Sequence, residues 1–345
     1  VAIITNETIQ DESGVQQTAH PRTEVDAIVD VTDLTKAILK SPDATTIFTK
    51  LGVTSYVQGL LQQASSGDFQ SALGISEFVK SALAGADAGD VLNDILPKTA
   101  QAHNGMYRGK DLTAYYNNGG FSKAVAAGTF DDIFPGDYIT KTVTVDGTTY
   151  TDVKWIVGDL DYHLHRGDTE TTAHHVVLYP ETNLGSARMN ATDTTSGGYQ
   201  GSEMWKTTIP KYTTGIVNAF GSDHVLKHRE RLTKAVDTNA YSAAGGVGNG
   251  ASVYADGEWT DVTVNLFNEA MMYGHAPFAS SGRDVYDCNK QLASFRYGQN
   301  FTRSAWCWLR DVASAIYFAN AGSYGEADSY DASNVGGVRP YFLLR

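Results

Sequence analysis

The chain has 345 residues, 42% of them hydrophobic, and a formal net charge of −13 from 39 acidic against 26 basic side chains. That length allows two domains and that apolar content can fill at least one core, while an acidic chain without a basic run is a poor partner for a nucleic-acid backbone. No apolar run reaches the roughly 18 residues of a membrane span, and Val1-Ala2-Ile3-Ile4-Thr5 lacks the basic start and long apolar core of a secretion signal, so membrane insertion is not expected.

Residues 1–33 are polar and without periodicity around Pro21, which suggests an extended attachment arm. Between 34 and 100 the character changes. Ile47, Leu51, Gly52, Val53, Tyr56, Val57 and Leu61 recur 22 positions later as Phe69, Leu73, Gly74, Ile75, Phe78, Val79 and Leu83. Apolar residues four apart, broken at a Leu-Gly-Val or Leu-Gly-Ile turn, predict short helices joined at the glycine. Each is too short to stand alone in water, so the repeat needs neighbours, either copies of itself in an oligomer or the rest of the same chain. The units Phe48-Thr49-Lys50-Leu51-Gly52-Val53 and Gln70-Ser71-Ala72-Leu73-Gly74-Ile75 resemble those in the neck of phage tail fibres, and the resemblance implies a homotrimer.

From 101 to 345 the sequence predicts a mixed α+β unit. Strands are expected at Tyr138–Val145, 149–159 and 174–178, with Asp146-Gly147 as a hairpin turn between the first two. Next come four of the nine histidines within 163–175. On a strand His163 and His165 would share a face and could offer two nitrogens to one metal ion; the plainer reading is imidazoles bonded to backbone, Asp161 or Asp168. The tail-fibre resemblance adds a precedent, since in some trimeric fibres a His-x-His from each chain encloses iron. Arg166-Gly167-Asp168 is read as a coincidental match to an integrin tripeptide. Two helices are expected, one over Ile209–Phe220 ending at Gly221, the other over 264–273 with Leu266, Ala270 and Tyr273 on one face and Gly274 as its stop. Cys288 and Cys307 are too few for a disulfide framework, and two buried thiols are expected rather than a bridge.

The tail opens with Trp308-Leu309-Arg310 and closes with Gly336-Gly337-Val338-Arg339-Pro340-Tyr341-Phe342, and residues 311–335 between them contain no Lys or Arg. Tyr317, Tyr324 and Tyr330 stand among Asn, Asp, Ser, Ala and Gly, as antibody loops combine amphipathic anchors with adaptable hydrogen-bonders. Tyr317, Asn320, Ser323, Tyr324, Asp328, Tyr330, Asp331 and Asn334 are therefore the candidate ligand-binding residues for a polar or carbohydrate-bearing target. Trp306, Trp308, Phe318 and Phe342 are expected in the core, with Arg310 and Arg339 pinning the terminal strands.

The two tail motifs, together with Phe130-Asp131-Asp132-Ile133-Phe134-Pro135-Gly136-Asp137, the stretch from Met189 to Tyr199 and Asn268-Glu269-Ala270-Met271, resemble phage proteins of the C-type-lectin fold, among them variable proteins diversified by retroelements. The resemblance covers about 105–345. It implies two helices packed on antiparallel sheet as a scaffold, with the ligand-binding face built between the Trp-Leu-Arg and Gly-Val-Arg-Pro strands. It further implies a virion protein, a tail fibre or receptor-binding protein, that meets a bacterial surface protein or glycan and joins other virion proteins through its arm. A capsid decoration or head-fibre protein is the alternative. A remote one is an enzyme that makes formylglycine, for which Cys288 and Cys307 are the available thiols; otherwise neither catalysis nor a cofactor beyond that metal is expected.

Overall fold

The computed structural model describes residues 7–10, 16–19, 93, 96–236, 255–278, 290–297 and 305–345. The chain divides into two units, Val1–Ala84 and Gly85–Arg345. In the first, β1 (Glu7–Gln10) and β2 (Gln16–Ala19) pair antiparallel, and both belong to the predicted arm. The repeat over 47–83 lies outside the described residues. The second unit takes in Gly85 to Ala100, which the sequence reading places at the end of the neck.

The second unit is α+β. Three short helices, α1 (Ala100–His103), α2 (Thr113–Asn117) and α3 (Gly120–Ala126), precede the long hairpin of β3 (Tyr138–Val145) and β4 (Thr148–Leu160). Asp146 and Gly147 both adopt positive φ, 48° and 80°, so the predicted turn has the twist of a type I′ hairpin. The far half of β4, from Trp155 to Leu160, is buried throughout, because β4 lies inside a sheet ordered β10-β15-β5-β4-β3. Its other strands are β5 (Val176–Pro180), β10 (Val264–Leu266) and β15 (Pro340–Leu344), with β7 (Val225–Leu226) also on β15. β5 and β15 are buried at every position, as their continuous apolar sequences require.

Helix α5 (Ile209–Phe220) follows a short helix α4 (Gly198–Gly201) and a π-helical turn at Met204–Thr208. Its buried side is Ile209, Tyr212, Ile216 and Phe220, the three-and-four spacing of an amphipathic helix, and Gly221 ends it as predicted. Phe220 closes an aromatic cluster with Trp155, ring centroids 5.3 Å apart, and Phe342, 4.8 Å apart. The second predicted helix is corrected. Residues 264–266 form β10, paired with Pro340–Phe342 of β15, and only α6 (Glu269–Tyr273) is helical. Asn268 caps it by accepting from the Met271 amide, and Gly274 ends it at φ 81°.

A second sheet runs β13-β12-β11-β14-β6. Its strands are β6 (Ser186–Arg188), β11 (Cys307–Val312), β12 (Tyr317–Ala321), β13 (Ala327–Asp331) and β14 (Val335–Gly337), and β11 and β14 are parallel. A separate hairpin joins β8 (His228–Val236) to β9 (Ala255–Val262).

Candidate functional site

The tail residues 317–335 fold into one edge of this second sheet. β13 is its edge strand, and the register pairs Phe318 with Tyr330 and Asn320 with Asp328. Residues opposed in an antiparallel pair share a face, so Trp308, Asn320 and Asp328 form one row across three strands. That row runs from core to solvent: Trp308 is fully buried and Asp328 is exposed. At the hairpin tip the Gly322 amide donates to Glu326 O at 2.8 Å and the Tyr324 amide to Glu326 Oε2 at 2.9 Å. The held turn leaves Tyr324 97% exposed.

Seven of the eight predicted contact residues keep some surface there. Tyr324, Asp328 and Tyr330 are exposed; Tyr317, Ser323, Asp331 and Asn334 are half-buried. Asn334 donates its backbone amide to Asp331 O at 3.0 Å, tightening the turn into β14. Asn320 is the correction, at only 2% exposed. It sits on β12, flanked by β11 and β13, and its Nδ2 has no hydrogen-bond partner, so it belongs to the floor beneath the face.

Beside this edge, Tyr330 stacks on Trp306 with centroids 5.5 Å apart, and Trp306 meets Trp308 edge-on at 4.9 Å. The Gly336-Gly337 pair makes that possible. A Cβ on Gly336 would fall on the Trp306 ring and lie 2.8 Å from Trp308 Nε1, and one on Gly337 would meet Asn183 and Trp306 O. Trp308 Nε1 donates to Ala187 O at 2.9 Å, while Arg339 donates to the carbonyls of Pro180 and Glu181, both at 2.9 Å. The two tail motifs are thus scaffold for the hairpin between them.

Behind the sheets lies a buried polar cluster. Residues 228–232 alternate along β8, so His228, Glu230 and Leu232 point inward and Arg229 and Arg231 outward. Glu230 Oε1 accepts from the Tyr341 hydroxyl at 2.6 Å, Asn265 Nδ2 at 3.2 Å and His228 Nε2 at 3.0 Å. Its Oε2 pairs with Arg310 Nη1. Burial by itself pushes this carboxyl up, but Arg310 and then His228 outweigh burial and hold it well below the usual range. The Tyr341 hydroxyl, buried and next to Glu230, is raised well above the ordinary phenol value. His163 packs on His228 with ring centroids 4.4 Å apart. Burial first, and His228 second, keep its imidazole neutral far below the normal pKa. Neither His163 ring nitrogen has a hydrogen-bond partner, nor does His228 Nδ1. Each such buried atom costs about 1–3 kcal/mol.

The expected His163-x-His165 pair does not form. After β4 the chain turns, with Asp161 and His165 at positive φ, rather than continuing as a strand. His163 goes inward, 2% exposed, while His165 faces solvent 3.2 Å from Glu170. His174 Nδ1 is 2.8 Å from Asp161 Oδ2, and Asp168 is engaged by Arg229 at 2.7 and 3.0 Å. Cys307 is a free, buried thiol pushed up to about 11 by burial, which leaves it poor in nucleophilic thiolate; Cys288 lies outside the described residues.

His163, His228 and Glu230 each offer a ligand atom within 4.8 Å of the others. His228 and Glu230 are what the sequence reading missed, since Lys227-His228-Arg229-Glu230-Arg231 looks like a solvated charged run; the period-2 alternation was the available signal. No helix among the described residues is long and apolar enough to cross a membrane. No family model matches the chain, and no curated protein or solved structure does.

Proposed function

We propose that the Gly85–Arg345 unit is a C-type-lectin-like ligand-binding domain of a phage virion protein, a tail fibre or receptor-binding protein, and that the β12–β13 hairpin meets a bacterial surface protein or glycan. One observation carries this reading. Of the four exposed large hydrophobic side chains among the described residues, Tyr324 and Tyr330 lie on this hairpin and Val335 opens β14 just after it. Amphipathic tyrosines gathered on one edge beside Asp328, Asp331 and Asn334 suit a polar or sugar surface. The absence of Lys and Arg from 311–335 disfavours an anionic target. The Asn, Tyr, Ser, Asp, Ala and Gly composition fits a surface varied by a retroelement on a fixed scaffold. The polar arm would attach to other virion proteins.

The test is adsorption of the purified full chain to a panel of bacterial cells. Replacing Tyr324 and Asp328 together with Ala should weaken binding at least about 30-fold, as loss of aromatic hot spots does, with little change in melting temperature because both are exposed. Adding Tyr330→Ala, which also removes the stack on Trp306, should weaken binding further. Unchanged adsorption by the Tyr324/Asp328 double variant, or no adsorption by the unaltered chain, would remove the proposal.

A further inference from the structure

The unpartnered ring nitrogens behind the sheets point to a ligand. His163 is 2% exposed and His228 3%, and three of their four ring nitrogens have no hydrogen-bond partner. Native interiors rarely leave polar atoms so, and an unmodified gap at several in one pocket calls for a water or an ion. Both histidines lie beside the buried Glu230 carboxylate, with a ligand atom of each residue within 4.8 Å of the others and His228 Nε2 and Glu230 Oε1 3.0 Å apart. An ion held about 2.0–2.2 Å from each ligand would separate ligand atoms by roughly 3.4 Å, which falls between the 3.0 Å of the His228–Glu230 pair and the 4.8 Å that bounds all three.

We propose that His163, His228 and Glu230 are the ligands of a divalent first-row transition ion, for which zinc is the best match. Two imidazoles and a carboxylate are a recurrent zinc donor set, whereas calcium and magnesium prefer a shell of oxygens, and among the described residues two of the three ligands in this group are nitrogens. Arg310 already neutralises Glu230 through Oε2, so the ion is held by nitrogen donation more than by charge, which again selects against hard cations. The ligands are oriented from behind. Tyr341 and Asn265 fix the carboxylate, and His175 Nε2 accepts the His163 backbone amide at 3.0 Å, fixing the loop that carries His163. An ion here ties β8 to the turn after β4. Through Arg310 it also abuts β11, the strand beneath the tail hairpin. The site stands apart from the receptor-binding reading and survives that reading's failure.

The decisive measurement is the metal content of the untagged full chain, both as purified from medium supplied with zinc, iron and manganese and after unfolding in chelator and refolding with each metal. The expected result is about one equivalent of a transition ion per chain, with cobalt giving ligand-field absorption that zinc abolishes. His163→Ala and His228→Ala should each lose the equivalent, while His165→Ala and His174→Ala, altering imidazoles outside the site, should keep it. Because the unaltered chain gives the answer, a variant that fails to fold does not decide it. A chain that takes up no transition ion by either route, with the same melting temperature refolded with or without zinc, would show the pocket to hold internal water only and overturn the proposal. So would uptake of calcium or magnesium alone.

Discussion

Arg310 and Glu230 form an ion pair with almost no access to solvent, and three further donors on Glu230 Oε1 make the carboxylate the hub of the interior. Such a pair is costly to bury and more costly to break, since removing one partner strands a charge. Arg310→Met should therefore destabilise the domain by about 3–5 kcal/mol in denaturant unfolding, and adding Glu230→Gln should recover part of that loss. His103 makes a second residue-scale prediction. It is fully buried, stacked on Phe134 at 4.3 Å, with Nδ1 2.9 Å from Ile133 O. Burial lowers its pKa in the fold, only partly opposed by that carbonyl. The unfolded chain thus takes up this proton first, so the contribution is whole above pH ~6.5 and is lost as pH falls below it. The loss can reach about 1.4 kcal/mol per pH unit. His103→Phe should flatten stability against pH below about 6.5, and an unaltered slope would mean that this imidazole does not matter.

Helix α5 and the β3–β4 hairpin were legible because local pattern and tertiary environment agree: three-and-four apolar spacing with a stop at Gly221, and a Val/Thr run closed by Asp146-Gly147. Their contact hides a constraint that no pattern shows. Gly215 faces β3, and a Cβ there would collide with the Thr144 carbonyl, which is backbone and cannot swing aside. Gly215→Ala should cost roughly 1–3 kcal/mol as the helix is pushed off the sheet, whereas Thr214→Ala on its exposed side should stay within about 0.5 kcal/mol. Thermal melts of the two variants separate packing from helix propensity, since alanine alone would stabilise a helix. Residues 264–273 show the opposite case. Leu266, Ala270 and Tyr273 have helical spacing, yet pairing with β15 makes 264–266 a strand, and Asn265 is needed there to meet Glu230 and Tyr199. A long-range partner overrode the local period, and the helix that remains starts only at the Asn268 cap.

At the scale of the whole molecule, the surface part of the site was readable and the interior part was not. The tail's tyrosines announce themselves by composition, because a core would select Leu, Ile and Val there. The cluster of His163, His228, Glu230, Arg310 and Tyr341 draws on four separated stretches of chain; only His163 stands out in the sequence, and there beside His165, while the others look like ordinary surface or scaffold residues until the fold assembles them. What remains is valency. If the proposed attachment reading holds, a polar face built on a few tyrosines would bind weakly per copy, and several copies joined on one stem would strengthen it. The 22-residue repeat, too short for a core of its own, is the part of the sequence suited to join them. The full chain should therefore show three times the 37.2 kDa chain mass by light scattering. Leu51→Asp with Leu73→Asp, at matching positions of the repeat, should reduce it to a single chain. Cell binding should then fall by about 10²–10⁴ with Tyr324 and Tyr330 untouched, because only the linkage between copies has gone. If the unaltered chain runs as a monomer, or if the double variant adsorbs as well as the parent, the repeat does not supply valency and the affinity of the single hairpin face must account for attachment alone.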